Sequence, residues 1–167
     1  NIYHALNFHF KGKQKPIELN WGMVKNAFNW AAKNLHKTDM YSVRPSNKTD
    51  GYIMADGNTA AALGALFGGL QFAAWYPITP ATSLAETLNE FVPIFRKDPV
   101  TGKNTCVVLQ AEDELAAIGM VVGAGWSGLR AMTSTSGPGF SLMVEYVGLA
   151  YFSEVPLVIW DIQRIGP

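Results

Sequence analysis

The sequence predicts an α/β fold: a doubly wound, mainly parallel sheet over residues 51–167, with a helical and linker appendage over residues 1–50. Three observations predict it. Past residue 51, short apolar runs alternate with longer stretches of helical spacing, the pattern of repeated βαβ units. The run Pro156-Leu157-Val158-Ile159-Trp160 is apolar without alternation, as in a strand covered on both faces. The composition, 49% apolar and 16% charged over 167 residues, supports a core. A chain of this length buries about 68–70% of the surface its unfolded form exposes.

In chain order, residues 1–20 hold Phe, Tyr and His alternations with Lys11, Lys13 and Lys15, and Pro16 reads as a break. Val24, Phe28, Ala31 and Leu35 recur at helical spacing beside Trp21 and Trp30. They predict an amphipathic helix over 21–37 whose apolar stripe, without partners of its own, packs on a neighbour outside this sequence. The polar stretch Arg44-Pro45-Ser46-Asn47-Lys48-Thr49-Asp50-Gly51 is the expected domain boundary. Ala, Leu and Gly on nearly all sides predict a buried helix over 58–71, and a strand over 72–76 follows. The strand runs into Trp75-Tyr76-Pro77-Ile78-Thr79-Pro80. Pro77 fixes its φ and removes a donor, Thr79 suits an N-cap, and Pro80 suits the first helical position. A stiff turn into a helix over 80–91 is therefore expected. A surface turn over 98–104 precedes a strand over 105–110 and a helix over 113–125. A strand over 130–135, a helix over 138–151 and a strand over 155–161 complete the series. Asn1 opens the sequence without a charged-then-apolar leader, and both ends read as cut from a longer polypeptide.

The composition excludes several classes of function. Net charge is zero but unevenly placed: residues 1–50 hold eight Lys/Arg against three acids, and 51–167 hold five against ten. The lysines are dispersed and no nucleic-acid motif accompanies them, so a solvated segment is expected and no nucleic-acid partner. The single cysteine, Cys106, lies in an apolar run and reads as a buried structural thiol. It permits no intrachain disulfide and no cysteine-ligated cluster, and it favours the cytoplasm. Gly57–Ala85 carries no charge, but its glycine pairs, Gln71 and two prolines describe a buried helix, strand and turn rather than a membrane span. Gly123-x-Gly125-x-x-Gly128 matches a dinucleotide fingerprint yet ends a helix instead of opening one. All three histidines, His4, His9 and His36, precede the linker. A Ser-His-Asp hydrolase within 51–167 is thereby excluded, the histidine spacing fits no zinc site, and no metal ligands are assigned.

Candidate chemistry gathers where strands end, because ligands of open α/β sheets are held at the carboxyl edge. The relevant loops are Tyr76–Pro80, Gln110–Glu114 and Ser134–Gly139, together with Asp161-Ile162-Gln163-Arg164. Glu112, Asp113 and Glu114 open a helix, where one acid suffices to offset the positive helix end. Three adjacent acids exceed that need, and any of them is a candidate acceptor for a ligand's proton or donor. Thr135-Ser136-Gly137-Pro138-Gly139 is either a tight turn or a place where backbone approaches a ligand closely. Arg164 is either a strand-end charge or a fork for a carboxylate.

These segments carry a resemblance. Asp56-Gly57-Asn58-Thr59-Ala60, Tyr76-Pro77-Ile78-Thr79-Pro80, Gln110-Ala111-Glu112-Asp113-Glu114, Thr135-Ser136-Gly137-Pro138-Gly139 and Asp161-Ile162-Gln163-Arg164 occur in the order found in alpha subunits of 2-oxoacid:ferredoxin oxidoreductases, which residues 51–167 resemble. The helix-opening Glu and the later Gly-Pro-Gly turn also resemble the pyrimidine-binding type of the thiamine-diphosphate-binding fold. Residues 1–50 are similar to the end of the gamma domain and linker that precede alpha in fused subunits.

The resemblance implies oxidative decarboxylation of a 2-oxoacid with CoA to acyl-CoA and CO2, ferredoxin or a similar carrier taking the electrons. It implies thiamine diphosphate shared with a beta subunit, which would hold the Mg2+ and the iron–sulfur cluster. By position, Glu114 corresponds to the Glu that bonds the pyrimidine N1′, with Glu112 as the rival. Thr79 and Arg164 match residues holding the 2-oxoacid carboxylate. Pro77 and Ile78, with Ser136 and Gly137, match cofactor contacts. The family often reads Tyr-Pro-Ile-Thr-Pro-Ser-Ser with an acid soon after, whereas Ala81-Thr82-Ser83-Leu84 follow here, which leaves the oxoacid open. The gamma-like lead-in favours 2-oxoglutarate over pyruvate. Two other readings are a nucleotide-binding α/β domain of a dehydrogenase and a non-catalytic structural subunit.

Overall fold

The computed structural model describes residues 2–44 and 46–163. They fall into two compact units, Asn1–Asp50 and Gly51–Pro167.

The first unit holds α1 (Ile2–His9) and α2 (Gln14–Asn34), joined by a turn with Lys11 and Gly12 at φ 50° and 76°. Tyr3 meets Trp21 edge-on at 5.7 Å, and Tyr3 Oη donates to Glu18 Oε1 at 3.1 Å. That bond to a carboxylate raises the Tyr3 pKa above the ordinary phenol value. The chain departs here from the sequence reading. Pro16 does not break the helix, because it lies in the first turn of α2, where a missing N–H has no intrahelical acceptor to lose. Of the stripe on this helix, Phe28 is 72% and Leu35 60% exposed, while Val24 and Ala31 are half-buried.

The second unit contains α3 (Gly57–Phe67), β1 (Phe72–Trp75), α4 (Thr82–Phe95), β2 (Val107–Gln110), α5 (Glu114–Trp126), β3 (Ala131–Thr135), α6 (Gly137–Phe152) and β4 (Val158–Asp161). The strands form one four-stranded sheet in the order β2-β1-β3-β4, and every pairing is parallel. One face carries a core of Leu66, Leu84, Leu88, Val92 and Cys106 with Ala73 and Met132, so α3 and α4 cover it. The other carries Ile118, Val121 and Met143 with Ala74 and Ala131, under α5 and α6. Helices on both faces make the sheet doubly wound, as expected. Burial pushes the Cys106 thiol pKa up, in keeping with a structural role.

Local sequence explains where these helices begin and end. Asp56 caps α3 by accepting from the Thr59 N–H at 2.7 Å, a bond that holds its carboxyl below the usual carboxylate range. The helix stops at Gly69, whose φ of 89° suits only glycine well; Leu70 N–H donates to Ala65 O at 3.0 Å and Gly69 N–H to Leu66 O at 3.2 Å. Gly128, at φ 83°, ends α5 in the same way. At Gly125 a Cβ would come within 2.7 Å of Val155 Cγ1 and 2.9 Å of the Pro156 carbonyl oxygen. The Gly123–Gly128 spacing therefore serves a helix stop and a close helix-to-strand approach.

Two further expectations are corrected. α4 starts at Thr82, not Pro80: Ala81 is its N-cap, Thr79 is not, and the Thr79–Pro80 peptide bond is cis. β4 is an edge strand of this sheet, with Val158 53% and Trp160 45% exposed, so its unbroken apolar run is not covered on both faces here.

Truncating Leu88, 1% exposed in the core shared by α3 and α4, should cost about 2–5 kcal/mol, read as a shifted urea midpoint. The Asp56 cap should also respond to acid. Its folded pKa is lowered, so its contribution is complete above the ordinary carboxylate range and is lost as pH falls through the lowered value. The Thr59 amide shift, followed by NMR through acid, should show this, and Asp56→Asn should abolish it while keeping an acceptor.

Candidate functional site

The strand order creates one crevice. From β1 the chain leaves to α4 on one face, from the adjacent β3 it leaves to α6 on the other, and the two exits diverge. Ligands of open α/β sheets sit outside the strands' carboxyl ends at such a switch point. Two of the turns singled out from sequence flank it: residues 76–81 after β1, and Ser136-Gly137 after β3.

The first turn is tied down at both ends. The Trp75 carbonyl accepts from Ala111 N–H at 2.7 Å, which fixes its start to the segment after β2. Ile78 O accepts from Ala81 N–H at 2.7 Å and Thr82 N–H at 3.1 Å. Across from it, Asn58 in the first turn of α3 donates through Nδ2 to Pro80 O at 2.9 Å and to Ser83 Oγ at 2.7 Å. Pro77 and Thr79 are exposed at the rim, and Ile78 is half-buried.

The second turn leaves a polar strand. Thr133, Ser134 and Thr135 on interior strand β3, and Ser136 just beyond it, are consecutive and all buried. Thr133 Oγ1 has no hydrogen-bond partner, and Thr135 Oγ1 makes only a 3.4 Å approach to Ser136 O. Trp75 Nε1, at the end of neighbouring β1, is likewise buried without a partner.

Of the three adjacent acids, geometry gives each a different place. Asp113 is the N-cap of α5, accepting from Ala116 N–H at 2.6 Å. Glu112 is exposed ahead of it. Glu114 opens the helix, is half-buried, and lies against the first turn of α6. A Cβ on Gly139 would stand 3.1 Å from Glu114 Cγ and 3.2 Å from Glu114 Oε1, and would overlap Thr135 Oγ1 outright. Glu114, Thr135 and Gly139 thus form one contact at the crevice. The partial positive ends of α5 and α6 both favour a carboxylate there. The one salt bridge among the described residues joins Lys37 to Asp39, so none of their cations neutralises Glu114.

Ser136 is buried at the N-cap of α6, and Gly137 lies 3.4 Å, measured from an added Cβ, from Gln163 Oε1. Arg164, the other carboxylate-binding candidate, lies outside the described residues. Among the described residues no three His, Cys, Asp or Glu side chains gather as a metal site, and no helix is long and apolar enough to cross a membrane.

Three contributors escaped sequence reasoning: Asn58, Thr135 and Gln163 were quoted within motifs but given no task of their own. The run Thr133-Ser134-Thr135-Ser136 carried the available signal, since four hydroxyl residues in an otherwise apolar alternation call for buried polar work. Asn58 gave none, because its acceptors lie 22 and 25 residues away.

Residues 63–167 match the family model described as pyruvate flavodoxin/ferredoxin oxidoreductase, thiamine diphosphate-binding. The alpha subunit of 2-oxoacid:ferredoxin oxidoreductase 1 from Sulfurisphaera tokodaii is 50% identical over 130 residues, 76% of this chain and 21% of the relative. The KorA subunit of 2-oxoglutarate synthase from Methanocaldococcus jannaschii is 50% identical over 111 residues, 66% of this chain and 28% of the relative. Among solved structures, a 2-oxoglutarate:ferredoxin oxidoreductase from Magnetococcus marinus, with 2-oxoglutarate, coenzyme A and succinyl-CoA bound, superimposes with a TM-score of 0.76 at 38% identity. That match covers 99% of this chain and 27% of the neighbour. This chain thus spans between about a fifth and somewhat over a quarter of the length of these relatives. A parallel doubly wound sheet, a family match over residues 63–167 and relatives 50% identical place this chain in the pyruvate flavodoxin/ferredoxin oxidoreductase family, among the alpha subunits of 2-oxoacid:ferredoxin oxidoreductases.

Proposed function

We propose that residues 51–167 form the pyrimidine-binding half of a thiamine-diphosphate site, and that residues 1–50 are the tail of a gamma-like domain with its linker. The assembled cytoplasmic enzyme converts a 2-oxoacid and CoA to acyl-CoA and CO2, passing two electrons to ferredoxin or a similar acceptor. The observation that carries this reading is the half-buried Glu114 carboxylate seated against Gly139 and Thr135 at the sheet's switch point. A beta subunit supplies the other half, with the Mg2+ and the iron–sulfur cluster. The KorA relative and the 2-oxoglutarate-bound neighbour favour 2-oxoglutarate as substrate.

The residues present suit the cofactor's aminopyrimidine. A flat ring with an N–H needs an acceptor at one edge and space beside it. Glu114 Oε1 is such an acceptor, and it reaches the open crevice because Gly139 has no Cβ to push it away. When bound, thiamine diphosphate supplies a thiazolium whose C2 becomes nucleophilic once its proton is removed. Glu114 contributes by accepting the N1′–H, a charge-assisted bond worth about 1.5–3 kcal/mol. By holding a proton at N1′, Glu114 would favour the tautomer in which the exocyclic nitrogen is imino and can serve as a base. Pro77, Ile78, Ser136 and Gly137, in the two turns that flank the crevice, are the residues that would hold the ring. Thr79, exposed at the rim, and Arg164 hold the substrate carboxylate. Glu112 is the rival for the N1′ contact.

In the complex assembled with its beta subunit, Glu114→Gln should abolish C2 proton exchange of bound thiamine diphosphate while leaving assembly intact. Exchange at the parent rate would take Glu114 out of the role, and the same loss in Glu112→Gln instead would hand it to Glu112. Gly139→Ala should lower thiamine diphosphate affinity by about tenfold or more in a calorimetric titration, because the added methyl displaces Glu114 and overlaps Thr135.

A further inference from the structure

The turn after β1 is held by two separate anchors. Its first residues are an extension of the sheet: β1 pairs with β2 through Trp75 and Gln110, and Trp75 O takes the Ala111 N–H at 2.7 Å. Its last residues lie beyond the sheet. There Asn58 Nδ2 spends both protons, one on Pro80 O at 2.9 Å and one on Ser83 Oγ at 2.7 Å. A single amide from α3 thereby joins the turn's exit to the first turn of α4. The helix N-terminus carrying it is itself fixed by the Asp56 cap. Thr79 lies between the two anchors, next to the Pro80 carbonyl that Asn58 holds.

We infer that Asn58 is a positioning residue for the 2-oxoacid: its amide sets the Thr79–Pro80 end of the turn, independently of the Pro77 end that the sheet sets. The inference rests on the proposed role of this turn and adds a residue and a division of labour to it. Removing the amide frees the substrate end of the turn and leaves the cofactor end tethered through Trp75 and Ala111. The loss therefore falls on substrate binding rather than on cofactor activation.

The test uses the assembled oxidoreductase and three variants, Asn58→Ala, Asn58→Asp and Ser83→Ala. Asn58→Ala should raise KM for the 2-oxoacid by about tenfold, the size expected for two lost hydrogen bonds, with C2 proton exchange within about twofold of the parent. Ser83→Ala removes one acceptor and should raise KM by about threefold. Asn58→Asp keeps the shape and suits the first turn of a helix, so Tm should hold while KM rises at least as far.

An unchanged KM in Asn58→Ala overturns the inference. So does a parallel fall in exchange, which marks a general structural role, or a KM rise confined to Asn58→Asp, which marks charge repulsion. Should Asn58→Ala fail to assemble, the presence or absence of the Ser83→Ala shift decides. Exchange-competent Glu114→Gln refutes the site itself, whereas a dead Glu114→Gln beside a normal KM in Asn58→Ala refutes the inference alone.

Discussion

The second unit is arranged around a carboxylate resting on a bare α-carbon. Glu114 can reach the edge of α6 only because Gly139 has no side chain, and Thr135 fills the space that such a side chain would need. Each partner arrives from a different element: Glu114 opens α5, Thr135 ends β3, and Gly139 lies in the first turn of α6. The contact therefore exists only when α5 crosses the sheet from β2 to β3 and α6 departs on the same face. Among the described residues no cation pairs with this half-buried carboxylate, and the N-terminal ends of two helices favour it there by about 0.3–1 kcal/mol each. What these residues share is a demand for backbone precision. A shift of either helix by one residue would turn Glu114 away.

Much of the fold was legible because it is local. Strand and helix alternation, apolar runs and the linker are patterns within short windows, and the structure places helices and strands where they fall. What failed was non-local. Nothing within Pro156–Trp160 tells whether a further strand lies beside β4, since edge or interior position depends on pairing partners far along the chain. The helix opening at Gln14 was missed because Pro16 was read as a break, although a proline in a first turn removes no hydrogen bond. Thr79-Pro80 looked like a cap and first helical position on residue type alone. The actual turn takes two more residues to bring Ala81 and Thr82 onto the Ile78 carbonyl.

The site shows the same division. Residue types pointed to the three acids but could not rank them, because their ranking is a matter of reach. Asp113 has the short side chain that bends back onto Ala116 N–H, and Glu114 the longer one that crosses to the next helix. The glycines of the Thr135–Gly139 segment were read as letting backbone approach a ligand, and at Gly139 what approaches is the protein's own carboxylate. The Gly123–Gly128 spacing shows the converse. A motif can match letter for letter and be consumed by packing, as Gly125 is against Val155 and Pro156.

The separate anchoring of the two ends of the turn after β1 follows from these constraints. A parallel sheet fixes a residue only while the strand lasts, and β1 is four residues long. Beyond Trp75 the ladder cannot govern where Thr79 stands, yet the proposed chemistry needs it set relative to a carboxylate on another helix. A loop held at one end would sweep through many positions, so a second tether is required on the far side of the rim. α3 can provide it, since it packs beside α4 through Leu66, Leu84 and Leu88 and its capped N-terminus reaches the turn. Asn is suited to the task because one planar amide presents two protons at a fixed angle, which serves a carbonyl and a hydroxyl at once. The apolar core of one face thus positions a polar clamp, and the clamp positions the rim of the crevice.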